Sequence, residues 1–413
     1  MYLDIDAKIT DEHQALKTSV HSFARDFLRP AASALDQLAD PQAVLAPDSV
    51  LWQTLGACYQ QGFHTVYLPQ AQGGRDLDSL SLQIAMEELG WGSADFAISL
   101  AVTAFPFYLA AQLGDTRLIQ ELVQPFVRDK NAQFIGCWAI TEPRHGSDHF
   151  YINAAQFHDP GLTGEVSARR EGDVYILNGQ KARWISNGSI ATHAVVYLNL
   201  DPSKGLAGGG IAVVPLNLPG VLRGEPLNKL GQRALNQGAI TFQNVRIPRY
   251  YLLADAAQYK PVLEQTLSFT NAAMGAIFTG VARAAFEQAL TYTQARVQGG
   301  KPISEHQLVQ KHLFDMFTQV ETCRALSRAA MVYCRSGQAA ALEYSTAAKI
   351  YCTQAAFEVA DCALQLFGGN GLNKEYLIEK LFRDARAGLI EDGANDVLAL
   401  SGARKLLQRY QVS

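Results

Sequence analysis

The chain has 413 residues, 48% of them hydrophobic and 18% charged, with a formal net charge of −4. That balance supplies ample apolar material for a core spread over two or three structural regions, and its slight acidity gives no electrostatic case for nucleic-acid binding. The cysteines Cys58, Cys137, Cys323, Cys334, Cys352 and Cys362 show no C-x-x-C spacing, which predicts reduced thiols rather than a disulfide frame or a zinc site.

The opening "MYLDIDAKIT" is acidic and lacks a basic, apolar signal segment. Beyond Thr10, the residues Leu16, Val20, Phe23, Phe27 and Leu28 recur at helical spacing, with Asp11 and Glu12 suited to the positive end of a helix. "LSLQIAMEELGWG" and "TRLIQELVQPFV" predict more helix, so residues 1–130 read as an N-terminal α-helical domain. The texture then changes. "DVYILNG", "THAVVYLNL", "GIAVVPL" and "GAITFQNV" are short, rich in β-branched residues and separated by Gly, Pro and Asn. They predict a middle antiparallel β-domain over 131–255.

From 256 to 413 the period is helical again. "FTNAAMGAIFTGVARAAFEQALTYTQAR" is a long first helix, and Ser304 with Gln307 predicts a capping box for the next. A third helix ends at Gly368-Gly369, and a last one runs through "NDVLALSGARKLLQRY". Long helices joined by short loops predict a C-terminal four-helix bundle. The fold class is therefore α+β, mostly α. "AAMGAIFTGVARAAF" is taken as the longest mostly apolar stretch; it is broken by Arg283 and is shorter than the roughly 20 residues of a membrane span. The expectation is a soluble, cytoplasmic protein with no membrane span.

Four strings carry chemistry. In "AITEPRHGSD" Pro143 forces a turn after a strand, where the Thr141 hydroxyl can close the strand or bond a polar ring edge. His145 and His149 stand four apart, but in a Pro/Gly-rich turn, so helical metal-ligand spacing does not apply and no metal site is expected. In "KARWISNG" Trp184 offers a broad π-surface that can stack on another ring or pack in the core. Arg296, before a Gly-Gly-Lys-Pro loop, has a planar fork suited to a diphosphate. The glycines of "QLFGGNG" either cap a helix or let backbone approach a phosphate or ring closely. Last, "IEDGANDV" sets Glu391 and Asp392 before Gly393, an arrangement that is ordinarily a solvated helix start.

With "EYLIEKLFRDAR", these strings in this order resemble the acyl-CoA dehydrogenase flavoprotein family over nearly the whole chain. The resemblance implies non-covalent FAD, removal of hydrogens from Cα and Cβ of an acyl thioester, and a homo-oligomer, dimer or tetramer. It puts Ala139, Thr141, Ser147, Trp184, Ser186, Ala394 and Asp396 at the cofactor. Ser186 is implied as a hydrogen-bond donor to the flavin N5, which receives the β-hydride. Arg296, Gln298, Gln365, Gly368 and Gly369 are implied to reach the FAD of a neighbouring subunit. Ser147, Asn271 and Gly393 are implied at the substrate. Aligned on Gly393, the family's catalytic glutamate falls on Asp392, and Glu391 takes a tyrosine's place. Asp392 is the expected base, with Glu391 as the alternative if the loop shifts by one residue.

The chain departs from the family in several places. Arg144 and His145 replace a small pair, which predicts bulk and charge at the thioester entrance. Ala182 and Arg183 stand where the family has one residue, which predicts a strand bulge before Trp184. Gly299 replaces an aromatic. Thr270 holds the position where some relatives carry their base, and Asn271 stands near a missing arginine. These features imply a branched, cyclic or polar acyl group, on coenzyme A or an acyl carrier protein, with an electron-transferring flavoprotein as acceptor. Two alternatives are a nitroalkane-oxidising flavin enzyme and a non-catalytic nucleic-acid binder. The first expects an arginine about two turns after the aspartate, where this chain reads "VLALSG". The second expects a basic C-terminus, and only three basic residues follow 401.

Overall fold

The computed structural model describes residues 4–410. The Thr10 hydroxyl accepts the His13 N–H while His13 Nδ1 takes the Thr10 N–H, a reciprocal cap that starts α1 at Asp11. Helix α1 (Asp11–Phe23) runs through a π turn, Ala24–Leu28, into a further helix, Arg29–Asp36. The π turn adds a residue to the repeat and rotates Phe27 outward, where it is 54% exposed, so the predicted apolar stripe breaks at that point.

Helices α2 (Ser79–Gly92) and α3 (Ala94–Leu113) meet at Ser93, whose hydroxyl caps α3 by accepting the Phe96 N–H. Helix α3 corrects the expectation about apolar stretches. Its 20 residues, with a mean hydropathy of 1.6, are long and apolar enough to cross a membrane by length and composition. Two-thirds of that stretch is buried inside the protein, where α3 packs on α2 and on the first strand of the sheet. It is the central core helix of the N-terminal region.

The sheet has strands β1 (Gly136–Ala139), β2 (Ser167–Glu171), β3 (Val174–Lys181), β4 (His193–Asn199), β5 (Gly209–Pro215), β6 (Val221–Arg223), β7 (Ile240–Pro248) and β8 (Leu252–Ala254). Their order is β6-β7-β3-β2-β4-β5-β8, with β1 beside β4. Most pairs are antiparallel, as the sequence predicts. The exceptions are β1, which pairs with β4 in parallel from Gly136↔His193 to Ala139↔Val196, and a single parallel pairing of β2 with β4. Alternation with period two reports the buried face of a strand and not its direction, so the sequence could not reveal this.

The C-terminal region is built from α4 (Tyr259–Ala295), α5 (Gln307–Cys334), α6 (Leu342–Phe367), α7 (Leu377–Gly388) and α8 (Asn395–Arg409). Four of these are the predicted bundle; α7 is an added helix between α6 and α8. The predicted capping box does not form. Ser304 lies in the 3-10 turn Ile303–Glu305, and α5 begins at Gln307 after His306 without a side-chain cap. The Ile303 N–H bonds to the Arg296 carbonyl at 2.8 Å, behind a ribbon pairing Val297–Gln298 with Lys301–Pro302, and this holds Ser304 short of the helix.

Helices α2 and α4 cross in direct backbone contact. A Cβ on Gly280 would lie 2.0 Å from the Glu87 carbonyl, and one on Gly90 would lie 2.2 Å from that of Ile277. Beside the crossing, Arg283 pairs with Glu87 at 2.9 Å and with Glu88, and Arg324 reaches Glu87 at 3.0 Å, all of them buried. The charge that interrupts the apolar run of α4 is thus neutralised by α2. Gly280→Ala forces the two helices apart. It is expected to lower stability by about 1–3 kcal/mol, the usual effect of overpacking, read as a fall in the thermal unfolding midpoint; an unchanged midpoint would contradict the close crossing.

Candidate active site

The turn between α7 and α8 carries the two acids. Helix α7 ends at Gly388, and the Glu391 N–H bonds back to the Ala387 carbonyl at 3.0 Å. Asp392 then takes φ +51° and Gly393 φ +100°. Aspartate tolerates the left-handed region better than most residues, whereas a side chain at Gly393 would be strained and would also meet the Phe150 ring at 3.0 Å. Two side chains, Lys349 and Ser147, hold the turn. Lys349, fully buried on α6, donates to the Gly393 carbonyl and to Asn395 Oδ1, both at 2.8 Å. The Ala394 N–H donates to Ser147 Oγ at 2.9 Å, tying the β-domain loop to the turn.

The turn opens on two cavities. The larger, about 620 Å³, is walled by Thr141, Ser147, Trp184, Ser186, Glu391 and Asp392, among others. The smaller, about 30 Å³, lies among Met86, Phe105, Phe269, Thr270 and Met274. Asp392 borders both, whereas Glu391 borders the larger alone. Burial pushes Asp392 up to about 6, with the Lys349 ammonium pulling the other way. Burial pushes Glu391 up to about 7, opposed by Lys229 and by the Gln232 amide and reinforced by the Asp392 charge. Burial also brings Lys349 and Lys229 down to about 8, against the pull of the nearby acids.

Thr141, Ser147, Trp184, Ser186, Glu391, Asp392 and Gly393 therefore come together as the motifs suggested. Other residues do not. Ala139 is buried in the core of the sheet, its side chain turned away from the cavity. Asn271 is fully buried and bonds to Thr346 at 3.0 Å; one helical step carries it away from Thr270, which does face the small pocket. Asp396 is exposed on the first turn of α8. Arg296, Gln298, Gln365, Gly368 and Gly369 are exposed and line neither cavity. They share one end of the bundle, where the Tyr292 ring stacks on Phe367 at 3.9 Å and its hydroxyl accepts from Asn370 Nδ2 at 3.0 Å.

Two departures from the family turn out differently from expectation. Arg144 is 81% exposed and pairs with Glu165, while His145 turns inward to Asp148 at 2.6 Å and to the Thr163 carbonyl at 3.1 Å. The expected bulk therefore points away from the cavity, and Gly146 and Ser147 face it. The extra residue before Trp184 makes no bulge. Strand β3 ends at Lys181, and Ala182 enters a turn fastened by its N–H to the Thr141 carbonyl at 2.9 Å.

The sequence reading missed Lys229, Gln232, Gln237 and Arg386, which also line the large cavity. The first three belong to "LNKLGQRALNQG", a loop without period or motif, where polar residues read as solvated. Lys229 donates to Gln237 Oε1 at 3.2 Å, and Gln237 Nε2 donates to Ser186 Oγ and to the Trp184 carbonyl at 3.3 Å. Gln232 Oε1, Glu391 Oε2 and Arg386 Nη1 are buried atoms without a hydrogen-bond partner. A cavity of this size, with an exposed indole at its rim, hydroxyls on one side and the unpaired Arg386 Nη1 within, fits a planar heteroaromatic cofactor bearing hydrogen-bonding groups.

Models for the N-terminal, middle and C-terminal domains of acyl-CoA dehydrogenases match residues 10–131, 137–245 and 261–407. The chain belongs to the acyl-CoA dehydrogenase family: it is an FAD-dependent oxidoreductase acting on CH–CH donors. It is 31% identical to the short-chain specific acyl-CoA dehydrogenase, mitochondrial, of Rattus norvegicus, over 98% of this chain and 92% of that one. It is 33% identical to the cyclohex-1-ene-1-carbonyl-CoA dehydrogenase of Geobacter metallireducens, over 82% and 86%. Among solved structures, butyryl-CoA dehydrogenase from Megasphaera elsdenii superposes with a TM-score of 0.84 at 27% identity, covering 98% of this chain and all of that one.

The turn electrostatics are testable directly. Lys349→Met removes the positive charge that opposes the effect of burial, so the Asp392 carboxyl should titrate at higher pH than in the parent. Infrared difference titration against Asp392→Asn reads this, and an unmoved or lowered midpoint would contradict the assignment.

Proposed function

We propose that this enzyme dehydrogenates an acyl thioester across Cα–Cβ, with Asp392 as the base that takes the α-proton. The observation that carries the reading is the position of Asp392. Among the described residues it is the carboxylate bordering both the large cavity and the narrow apolar pocket beyond it. A base must stand within hydrogen-bond reach of the carbon it deprotonates, and an acyl group has to extend past that carbon into apolar surroundings. Glu391 borders the large cavity alone, which favours Asp392 over its neighbour. Burial raises the Asp392 pKa to about 6, so the group remains largely ionised at neutral pH yet is a stronger base than a solvated aspartate.

FAD, when bound, supplies the acceptor for the β-hydride. Thr141, Trp184 and Ser186 are the residues of this chain proposed to hold its ring. The Asp392 backbone N–H is proposed to help stabilise the thioester oxygen as the α-proton leaves. Trp138 and Phe150 line the cavity and exclude water from the reacting carbon.

The small pocket, about 30 Å³, is hemmed by the bulky side chains of Tyr67, Met86, Phe105 and Phe269. This supports a short or compact acyl group. Coenzyme A and an acyl carrier protein present the same phosphopantetheine arm, and either is compatible with the large cavity. The proposal includes a cytoplasmic enzyme that passes electrons to an electron-transferring flavoprotein, with domain boundaries near 131 and 256. The exposed cluster of Arg296, Gln298, Gln365, Gly368 and Gly369, away from its own chain's cavity, supports a homodimer or homotetramer in which it completes a neighbour's FAD site.

Asp392→Asn should retain FAD but slow anaerobic flavin bleaching by a short acyl thioester by about 10²–10⁴-fold, the usual worth of a general base; bleaching at the parent rate would exclude Asp392. Arg296→Ala should weaken FAD affinity by on the order of tenfold or more, the value of a charge-assisted bond to phosphate. Flavin retained through desalting to the parent level would remove the diphosphate role.

A further inference from the structure

Two buried acceptors in the large cavity have no partner within the chain. They are Glu391 Oε2 and Gln232 Oε1. The two side chains are neighbours, since the Gln232 amide stands close enough to Glu391 to stabilise its charged form. The orientation of Gln232 is fixed. Its Nε2 donates to the Asp384 carbonyl at 3.3 Å, and its backbone N–H donates to Asp384 Oδ1 at 2.5 Å. That leaves the amide oxygen as the end without a bond. Glu391 immediately precedes Asp392, and consecutive Cα atoms lie about 3.8 Å apart. Glu391, Gln232 and Asp392 line the same cavity, so an acyl group that meets the Asp392 carboxylate from that side shares the cavity with both acceptors.

We propose that Glu391 and Gln232 form a recognition site for a hydrogen-bond donor, a hydroxyl or an amine, carried by the acyl group near its β-carbon. The proposal rests on the acyl-thioester reading and adds the substrate class. Buried acceptors left unpaired disfavour a ligand that cannot satisfy them, so the site selects against plain alkyl groups. These acceptors come from the α7–α8 turn and from the loop before β7. The hydroxyls and the indole suited to the cofactor ring come from the β-domain strings around Thr141 and Trp184. Burial pushes Glu391 up to about 7, and its carboxylate form can accept from a hydroxyl or from an amine.

The test is calorimetric titration of the FAD-loaded protein with three pantetheine amides, of butanoate, 3-hydroxybutanoate and 3-aminobutanoate. Amides in place of thioesters measure binding without turnover. The parent should bind at least one polar amide about tenfold or more tighter than the butanoate, and the two polar arms tell a hydroxyl from an amine. Glu391→Gln, which keeps the shape, should reduce that ratio, and Glu391→Leu should bring it close to one. Equal affinity for the alkyl and polar amides in the parent, or a ratio unchanged in both variants, overturns the inference alone. An unchanged ratio together with lost FAD would assign Glu391 to the cofactor and overturns it as well. Binding of none of the three overturns the thioester reading, and the inference falls with it.

Discussion

The geometry of the site depends on one buried ammonium. Lys349 is sequestered on α6 and spends its hydrogen bonds on the Gly393 carbonyl and the Asn395 amide oxygen, both at 2.8 Å. Those bonds fix a turn whose central residues, Asp392 and Gly393, adopt left-handed backbone conformations. A buried lysine without partners would be costly, and a strained turn without a clamp would relax. Each offsets the other. The same charge counteracts the rise in the Asp392 pKa that burial imposes.

The surrounding supports come from all three regions of the chain. Ser147 of the β-domain loop accepts the Ala394 N–H, which ties the turn to the end of the "TEPRHGS" string. A second buried network fixes the opposite wall. Lys380 and Asp384 on α7 meet Asp95 at the start of α3. Asp384 receives the Gln232 N–H at 2.5 Å and Asp95 receives the Ala234 N–H at 2.9 Å. That network sets the otherwise irregular loop carrying Lys229, Gln232 and Gln237 against the large cavity. The α2–α4 crossing, with its glycine contacts and its Arg283 cluster, then locks the N-terminal helices onto the bundle.

Much of this was legible because composition and period report burial. The β-branched, Gly-punctuated segments mark the sheet, and the long helical runs mark the bundle. The strings around Thr141, Trp184 and Asp392 converge because each sits at the end of a strand or helix that faces the cavity. What the sequence hid is tertiary. The direction of β1 leaves no trace in an alternating pattern. Helix α3 is apolar on every side because it is enclosed by its neighbours. Asn271 stands beside the right residue but on another face of α4. Lys229, Gln232 and Gln237 occupy a loop whose conformation is imposed by distant acids. The Arg144-His145 pair looked obstructive in sequence, yet Glu165 and Asp148 draw both side chains aside.

The central claim is that the Asp392 carboxylate removes the hydrogen α to the thioester carbonyl. The most direct measurement uses a pantetheine thioester of (methylthio)acetate, in which sulfur replaces the β-carbon so that proton removal is possible and hydride loss is not. Incubated anaerobically in heavy water with the FAD-loaded protein, its α-hydrogens should exchange for deuterium, as read by mass spectrometry. The exchange should be lost in an Asp392→Asn protein that retains its flavin. Exchange at the parent rate in that variant would contradict the account.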